Sequence, residues 1–196
     1  MVNQAEQGKS VDLTLCRRFL RADNLDVEKA FLRFQNAHTT RQRLKLPQAY
    51  DEIDVDDFEK ARMLYPHWTG RRDKQGKPLC FFDVAKLDAT VLREYSTVDA
   101  SSALIRPLVF HDCLTRFVLP LCSKASPTNQ PVTSCLYLVD VSSFGIKQAW
   151  NVRNYAADIS KVLANDYPEM IDKVLVGHAP NFRSCVADII EGNRSS

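Results

Sequence analysis

The sequence lacks long hydrophobic runs and a large excess of charge of either sign. No apolar stretch approaches the roughly 18 residues that a membrane-spanning helix requires, so we expect no transmembrane segment. No hydrophobic segment of the secretory type precedes the polar first residues, and we therefore expect a cytoplasmic protein. A net charge of +2 over 196 residues gives no bulk attraction for nucleic acid, so we expect no nucleic-acid partner.

The common catalytic and metal-binding motifs are also lacking. There is no P-loop, no G-x-G-x-x-G, no G-x-S-x-G and no H-E-x-x-H. The six cysteines form no C-x-x-C pair, and most lie in apolar runs, where cysteine behaves as a small buried side chain. The four histidines are not spaced as metal ligands. The sequence therefore predicts neither an enzyme nor a metal or cofactor site.

One alternative to this interpretation is the run His111-Asp112-Cys113, which could supply a thiol nucleophile and its base. Adjacent residues on a helix do not face each other, so the run does not favour catalysis. His178 follows a predicted strand, where α/β proteins often place site residues. An ordinary structural histidine is the favoured interpretation there.

Helical periodicity dominates the first third of the chain. Asp26 is the predicted N-cap of a second helix, and Asp56 with Glu59 is the predicted capping box of a third. We interpret residues 39–45 as a polar connector, and residues 11–65 as a small helical bundle. Apolar residues of the second helix follow helical spacing: Val27, Ala30, Phe31 and Phe34.

Beyond the bundle, short apolar runs alternate with helical patterns. Strands are predicted over 79–84, 132–141 and 174–176, with a long apolar helix over 100–125 between the first two. A final helix is predicted from Asn181. The helix between the last two strands has a predicted buried stripe of Ala149, Val152, Ala156, Ile159 and Leu163. This alternation predicts an α/β fold with a mostly parallel sheet.

Five stretches of the sequence resemble, in order, the motifs of one known family. They are "LCRRFLRADNLDVEKAFLRF", "YPHWTGRRDKQGKP", "FVLPLCSKAS", "LVDVSSFGIKQAW" and "NDYPEMIDKVLVGHAPNF". Over about residues 11–185 the chain resembles the CRAL-TRIO, or Sec14-like, lipid-binding proteins.

The resemblance implies an N-terminal helical bundle over 11–65 and a CRAL-TRIO α/β domain over 66–196. The family pattern continues past the end of this sequence, so we expect a partial domain without its gate helix and last strand. Family members bind one phospholipid or other hydrophobic lipid in an apolar pocket, exchange it at membrane surfaces and perform no covalent chemistry. The alternative is a ligand-free Sec14-like module that binds a protein partner in lipid signalling.

Candidate headgroup residues follow from the resemblance. Glu169 stands where phosphoinositide-binding members place a glutamate, but Asp23 and Asn24 stand where those members place a basic pair. An acid and an amide replace the charges that would meet a phosphate, which argues against phosphatidylinositol. Thr69 and His111 stand where the family has pocket tyrosines.

The family's Ser-x-Thr on the second predicted strand can be matched in two ways. Counting back from Asp140 gives Cys135 and Tyr137, whereas aligning "TSC" gives Ser134 and Leu136. A slip of one residue exchanges the two faces of a strand, so the choice matters. On the first strand, Cys80 and Phe82 share a face that we take as the pocket face. The predicted lipid-binding residues are Thr69, Cys80, Phe82, His111, Cys135, Tyr137 and Glu169.

Overall fold

The computed structural model describes residues 13–51, 54–87, 92, 105–126 and 130–177. The helix predicted from Asn181 and the candidate residue His178 lie outside the described residues.

Four helices make up the N-terminal part of the described chain: α1 (Leu13–Ala22), α2 (Val27–Arg43), α3 (Leu46–Asp51) and α4 (Val55–Arg62). The predicted N-cap of α2 is confirmed, because an Asp26 carboxylate oxygen accepts a 3.1 Å hydrogen bond from the Lys29 amide. The predicted connector over 39–45 is wrong for most of its length, since α2 continues to Arg43. That segment contains neither glycine nor proline, and arginine and glutamine are good helix formers.

Two details of these helices differ from the sequence prediction. Asp56 lies inside the first turn of α4 and is not its N-cap, and the Glu59 carboxylate pairs with Arg62 at 2.8 Å. Val27 and Phe31 are mostly exposed, although we predicted them on the buried stripe of α2. The buried face of α2 instead carries Ala30, Phe34 and Ala37 and packs on Phe19, Leu15 and Leu20 of α1.

Four strands form one sheet in the described residues, in the order β1 (His67–Arg72), β2 (Pro78–Asp83), β3 (Cys135–Asp140) and β4 (Ile171–Gly177). β1 is antiparallel to β2, whereas β2–β3 and β3–β4 are parallel. The predicted mixed α/β class with a mostly parallel sheet is therefore confirmed.

Strand β1 was not predicted, because its sequence HWTGRR is mostly exposed and has no apolar alternation. A tight turn joins it to β2. One Asp73 carboxylate oxygen accepts hydrogen bonds from the amides of Gln75 and Lys77 at 2.9 and 2.7 Å. Gly76 takes a φ of 85°, which a residue without a Cβ adopts freely.

The long apolar stretch is a helix with an interruption. It comprises α5 (Ile105–Cys113), a π-helical turn (Leu114–Val118) and α6 (Leu119–Lys124). Pro120 has no amide hydrogen and would clash with the preceding turn of a regular α-helix, so the wider turn relieves both problems.

The helices cover one face of the sheet. Helix α7 (Ile146–Asp166) connects β3 to β4 and buries Val152 and Tyr155. The predicted stripe was wrong at Ala149 and Ala156, which are exposed. With α5 and α6, this helix packs on Cys80, Cys135 and Tyr137 in the main core. The opposite sheet face carries a separate apolar cluster of Leu79, Phe81, Leu136, Leu138 and Leu175.

Candidate functional site

Five of the seven predicted lipid-binding residues lie on the helix-covered side of the sheet. Cys80 pairs in register with Tyr137 across β2 and β3, and Phe82 lies two residues further along β2 on the same face. Cys135 belongs to the same buried cluster, and the buried His111 borders that cluster. The remaining two, Thr69 and Glu169, are exposed. The Thr69 hydroxyl donates to the Leu79 carbonyl at 2.9 Å.

The two ways of matching the strand motif fall on opposite faces of β3. Cys135 and Tyr137 face the main core, whereas Leu136 belongs to the apolar cluster on the other face. Ser134 is buried immediately before the strand begins. The count that starts at Asp140 therefore gives the residues that face the main core, and Tyr137 among them contacts His111.

The thiols of this layer are buried among apolar side chains. Cys80 and Cys135 are both fully buried, and the Cys135 thiol donates to the Met170 carbonyl at 3.3 Å. A hydrogen bond with Cys135, together with burial, raises the pKa of the Cys80 thiol well above its usual value. The Cys80 thiol is therefore not available as a thiolate nucleophile.

His111 and Tyr137 form a buried polar pair between α5 and β3. The Nδ1 of His111 lies 2.7 Å from the Pro107 carbonyl, and its Nε2 lies 2.8 Å from the Tyr137 hydroxyl. Because a carbonyl only accepts, Nδ1 must carry the hydrogen, which leaves Nε2 to accept from the tyrosine. Burial lowers the pKa of His111 to about 4, so the ring is neutral at physiological pH. Burial likewise raises the pKa of Tyr137, which keeps its hydroxyl a donor.

A second buried polar group joins the N-terminal helices to α5. Asp112 has no exposed surface, and its carboxylate forms a 2.8 Å ion pair with Arg41 of α2. The Tyr167 hydroxyl donates to the same carboxylate at 3.3 Å, and Arg116 lies 3.9 Å away. Sequence reasoning missed this group, because Arg41 and Asp112 are 71 residues apart and no periodicity relates them.

The run His111-Asp112-Cys113 is not arranged for catalysis. Both ring nitrogens of His111 are engaged with Pro107 and Tyr137, and Asp112 is engaged with Arg41. Burial, followed by the charge of Asp112, raises the pKa of the Cys113 thiol, which disfavours the thiolate. Among the described residues there is also no cluster of three side chains that could hold a metal ion.

Asp23 is already engaged by an internal cation. Its two carboxylate oxygens accept 2.7 Å hydrogen bonds from Nε and Nη2 of Arg33, and this contact lowers the pKa of Asp23. Arg33 also donates to the Ala164 carbonyl and to the Asn165 side chain at 3.3 Å. Asp23, which stands where a basic residue was expected, is thus paired with Arg33, and Arg33 links α2 to the end of α7.

Two cavities lie where the N-terminal helices meet α7. One, of about 110 Å³, is lined by residues that include Arg18, His38, Arg41 and Tyr167. The other is an open cleft of about 430 Å³, lined by polar residues that include Asn36 and Asn165. Asp166 lines both, and none of the predicted lipid-binding residues lines either.

Comparison with known proteins agrees with the sequence motifs. The profile of the CRAL/TRIO domain matches residues 62–193. The chain is 29% identical over 170 residues to the SEC14 cytosolic factor of Candida glabrata, covering 86% of this chain and 54% of the relative. It is 26% identical over 181 residues to the SEC14 cytosolic factor of Eremothecium gossypii, covering 92% and 57%.

A plant protein is also similar. The chain is 24% identical over 187 residues to the phosphatidylinositol/phosphatidylcholine transfer protein SFH7 of Arabidopsis thaliana, covering 92% of this chain and 33% of that protein. The chain spans about half the length of the two fungal relatives. Within the described part of the chain, no helix has the length and apolar character to cross a bilayer.

Proposed function

Since the chain belongs to the CRAL/TRIO domain family, we propose that it binds a hydrophobic lipid and transfers it between membranes. The observation that carries the proposal is the match over residues 62–193 together with relatives that include a named phosphatidylinositol/phosphatidylcholine transfer protein. The comparisons do not favour the alternative of a ligand-free protein-binding module. The relatives named as cytosolic factors support a cytoplasmic location, and transient contact with membranes is part of the proposal.

The apolar side chains on the sheet support the proposal of an apolar ligand. Both of its faces carry apolar clusters, and each acyl methylene moved from water to such a surface gains about 0.8 kcal/mol. In this proposal, residues 11–65 form a helical bundle and residues 66–196 form the lipid-binding domain. The binding residues proposed are the seven already named.

The polar pair favours a lipid with a small polar group. His111 and Tyr137 already satisfy each other, so a large headgroup at this place would have to break their hydrogen bond. The Asp23 carboxylate holds Arg33, the cation that could otherwise meet a phosphate there. A sterol-like or other weakly polar lipid therefore fits the proposal better than phosphatidylinositol. The proposal involves no covalent chemistry.

Lipid capture from mixed vesicles tests both parts of the proposal. The chain is incubated with vesicles of phosphatidylcholine, phosphatidylinositol and cholesterol, re-isolated and examined by native mass spectrometry. We expect one bound lipid per chain, enriched in the sterol. A chain that stays empty and moves no labelled lipid between vesicles contradicts the function, whereas enrichment of phosphatidylinositol contradicts only the ligand class.

Asp23 offers a matched variant for the ligand class. Asp23→Asn removes the negative charge and keeps the shape of the side chain, so we expect a higher share of captured phosphatidylinositol. Asp26→Asn is the control, because Asp26 is a neighbouring carboxylate that caps α2. An equal rise in both variants would mean that net charge, and not position 23, decides the capture.

A further inference from the structure

The first two turns of α7 present two large apolar side chains to solvent. Ile146 is 92% exposed and Trp150 is 66% exposed. They are four positions apart in the sequence, so they lie on one face of the helix. The core side of α7 is formed by Val152 and Tyr155, and the exposed pair therefore faces away from the sheet.

Single exposed apolar residues are ordinary, but this pair lies among cations. The Arg153 guanidinium lies 3.9 Å from the centroid of the Trp150 ring, Lys147 is exposed, and the first turn of α7 contains no acidic residue. An aromatic ring, an aliphatic side chain and flanking lysine or arginine are the composition of surfaces that rest at the bilayer interface.

A neighbouring turn extends the positive surface. The Gln148 amide donates to the Ala85 carbonyl at 3.2 Å, which holds the turn bearing the exposed Lys86 against α7. Two carboxylates are also found at this end of the sheet, on Asp83 and Asp140. Asp83 accepts a hydrogen bond from the Ala85 amide and Asp140 accepts one from the Ser142 amide.

The geometry points to the first two turns of α7 as the surface that docks on an anionic bilayer. Ile146 and Trp150 enter the interface between headgroups and acyl chains, while Lys86, Lys147 and Arg153 meet the negative lipid headgroups. The inference rests on the proposed transfer function. It adds which surface of the protein touches the membrane and which lipid charge that surface prefers. Because the cations are exposed, high salt weakens this contact.

Tryptophan fluorescence reads this contact directly. The chain has two tryptophans, so Trp68→Phe leaves Trp150 as the only one. Vesicles of phosphatidylcholine containing phosphatidylserine should shift its emission to the blue, and doxyl-labelled lipid in those vesicles should quench it. Vesicles of phosphatidylcholine alone should produce a much smaller change, and high salt should reverse the shift.

Vesicle co-sedimentation of single variants assigns the binding to named residues. Ile146→Ser or Trp150→Ser should weaken partitioning by about tenfold or more, because each removes a large apolar side chain from the interface. Lys147→Glu should weaken it by about fivefold or more, since it removes and reverses a charge near the headgroups. Val55→Ser and Lys29→Glu, which change exposed residues of α4 and α2, are the matched controls and should bind like the wild type.

Three results overturn the inference: no response of Trp150 to anionic vesicles, equal binding to neutral vesicles, or equal losses in variants and controls. The outcome is separable from that of the proposed function. A chain that docks through Trp150 but captures no lipid supports the docking surface and contradicts transfer. A chain that captures lipid while Trp150 remains in water contradicts the docking surface alone.

Discussion

The hydroxyl of Tyr137 on β3 donates a 2.8 Å hydrogen bond to Nε2 of His111 on α5, across the main core. His111 is 1% exposed and Tyr137 is 5% exposed, so water replaces neither partner. Each group therefore depends on the other for its hydrogen bond. A satisfied polar pair in an apolar layer also fixes how the helix sits on the sheet, because other placements leave both groups unpaired.

Removing one partner should destabilise the fold. Tyr137→Phe keeps the ring and leaves Nε2 of His111 buried without a donor, so we expect the free energy of unfolding to fall by about 1–3 kcal/mol. Urea denaturation followed by circular dichroism measures the change.

A double variant is the control for this prediction. Tyr137→Phe with His111→Leu removes both polar groups and keeps similar volumes, so it should recover much of the loss. If the two single losses simply add in the double variant, the hydrogen bond does not couple these residues.

The low pKa of His111 predicts a loss of stability in mild acid. The unfolded chain takes up a proton on this ring near pH 6.5, whereas the folded chain does so only near pH 4, where its pKa is held by burial. Stability should therefore fall as the pH drops from about 6.5 to about 4. At pH 5 the loss from this group is about 2 kcal/mol.

His111→Gln isolates that loss, because glutamine does not titrate. The difference in unfolding free energy between wild type and variant should shift in favour of the variant by about 2 kcal/mol between pH 7 and pH 5. A difference that stays constant over this range would show that the folded ring protonates as readily as the unfolded one.

The ion pair of Arg41 and Asp112 predicts a strong connection between α2 and α5. Arg41→Met leaves the fully buried Asp112 carboxylate without its nearest cation, and we expect a loss of about 3–5 kcal/mol. Lys29→Met breaks the solvent-exposed ion pair between Lys29 and Asp26 and should leave stability nearly unchanged. Equal losses in the two variants would contradict the buried role. Thermal unfolding of both variants in one buffer makes the comparison.

Apolar runs made the central strands predictable. The strands around Cys80 and Tyr137 have a neighbour on each side and are largely buried, so their sequences are apolar and continuous. The edge strand β4 was predictable from its apolar run of Val174, Leu175 and Val176. Strand β1 has one neighbour in the described sheet and carries Gly70, Arg71 and Arg72, so nothing in its sequence marked it as a strand. Its antiparallel pairing with β2 depends on the turn at Asp73.

The sequence identified individual site residues but not the contacts between them. The family resemblance named His111 and Tyr137 separately, yet their hydrogen bond joins positions 26 residues apart and follows only from the packing of α5 on β3. The pairing of Asp23 with Arg33 was missed for a related reason. Arg33 lies ten residues along the chain, where the corner between α1 and α2 brings it back.

Asp166 predicts a pH effect of the opposite sign. It lines both cavities between α2 and α7, and burial raises its pKa to about 6, with a hydrogen bond from Thr40 and the charge of Arg43 opposing the rise. Because the folded pKa lies above the unfolded value, this carboxyl stabilises the fold when protonated and loses that contribution as the pH rises through about 6.

Asp166→Asn mimics the protonated form at every pH. The variant should be more stable than the wild type above pH 6, by on the order of 1 kcal/mol after allowance for solvent screening of this half-buried group, and equal to it near pH 4. Asp56→Asn, an exposed carboxylate on α4, controls for the lost charge and should change stability by about 0.5 kcal/mol or less. Since His111 weakens the fold in acid while Asp166 strengthens it, the wild type should vary less between pH 7 and pH 5 than Asp166→Asn does. A wild type that varies as much as Asp166→Asn would show that this carboxyl titrates in the folded chain as it does in the unfolded one.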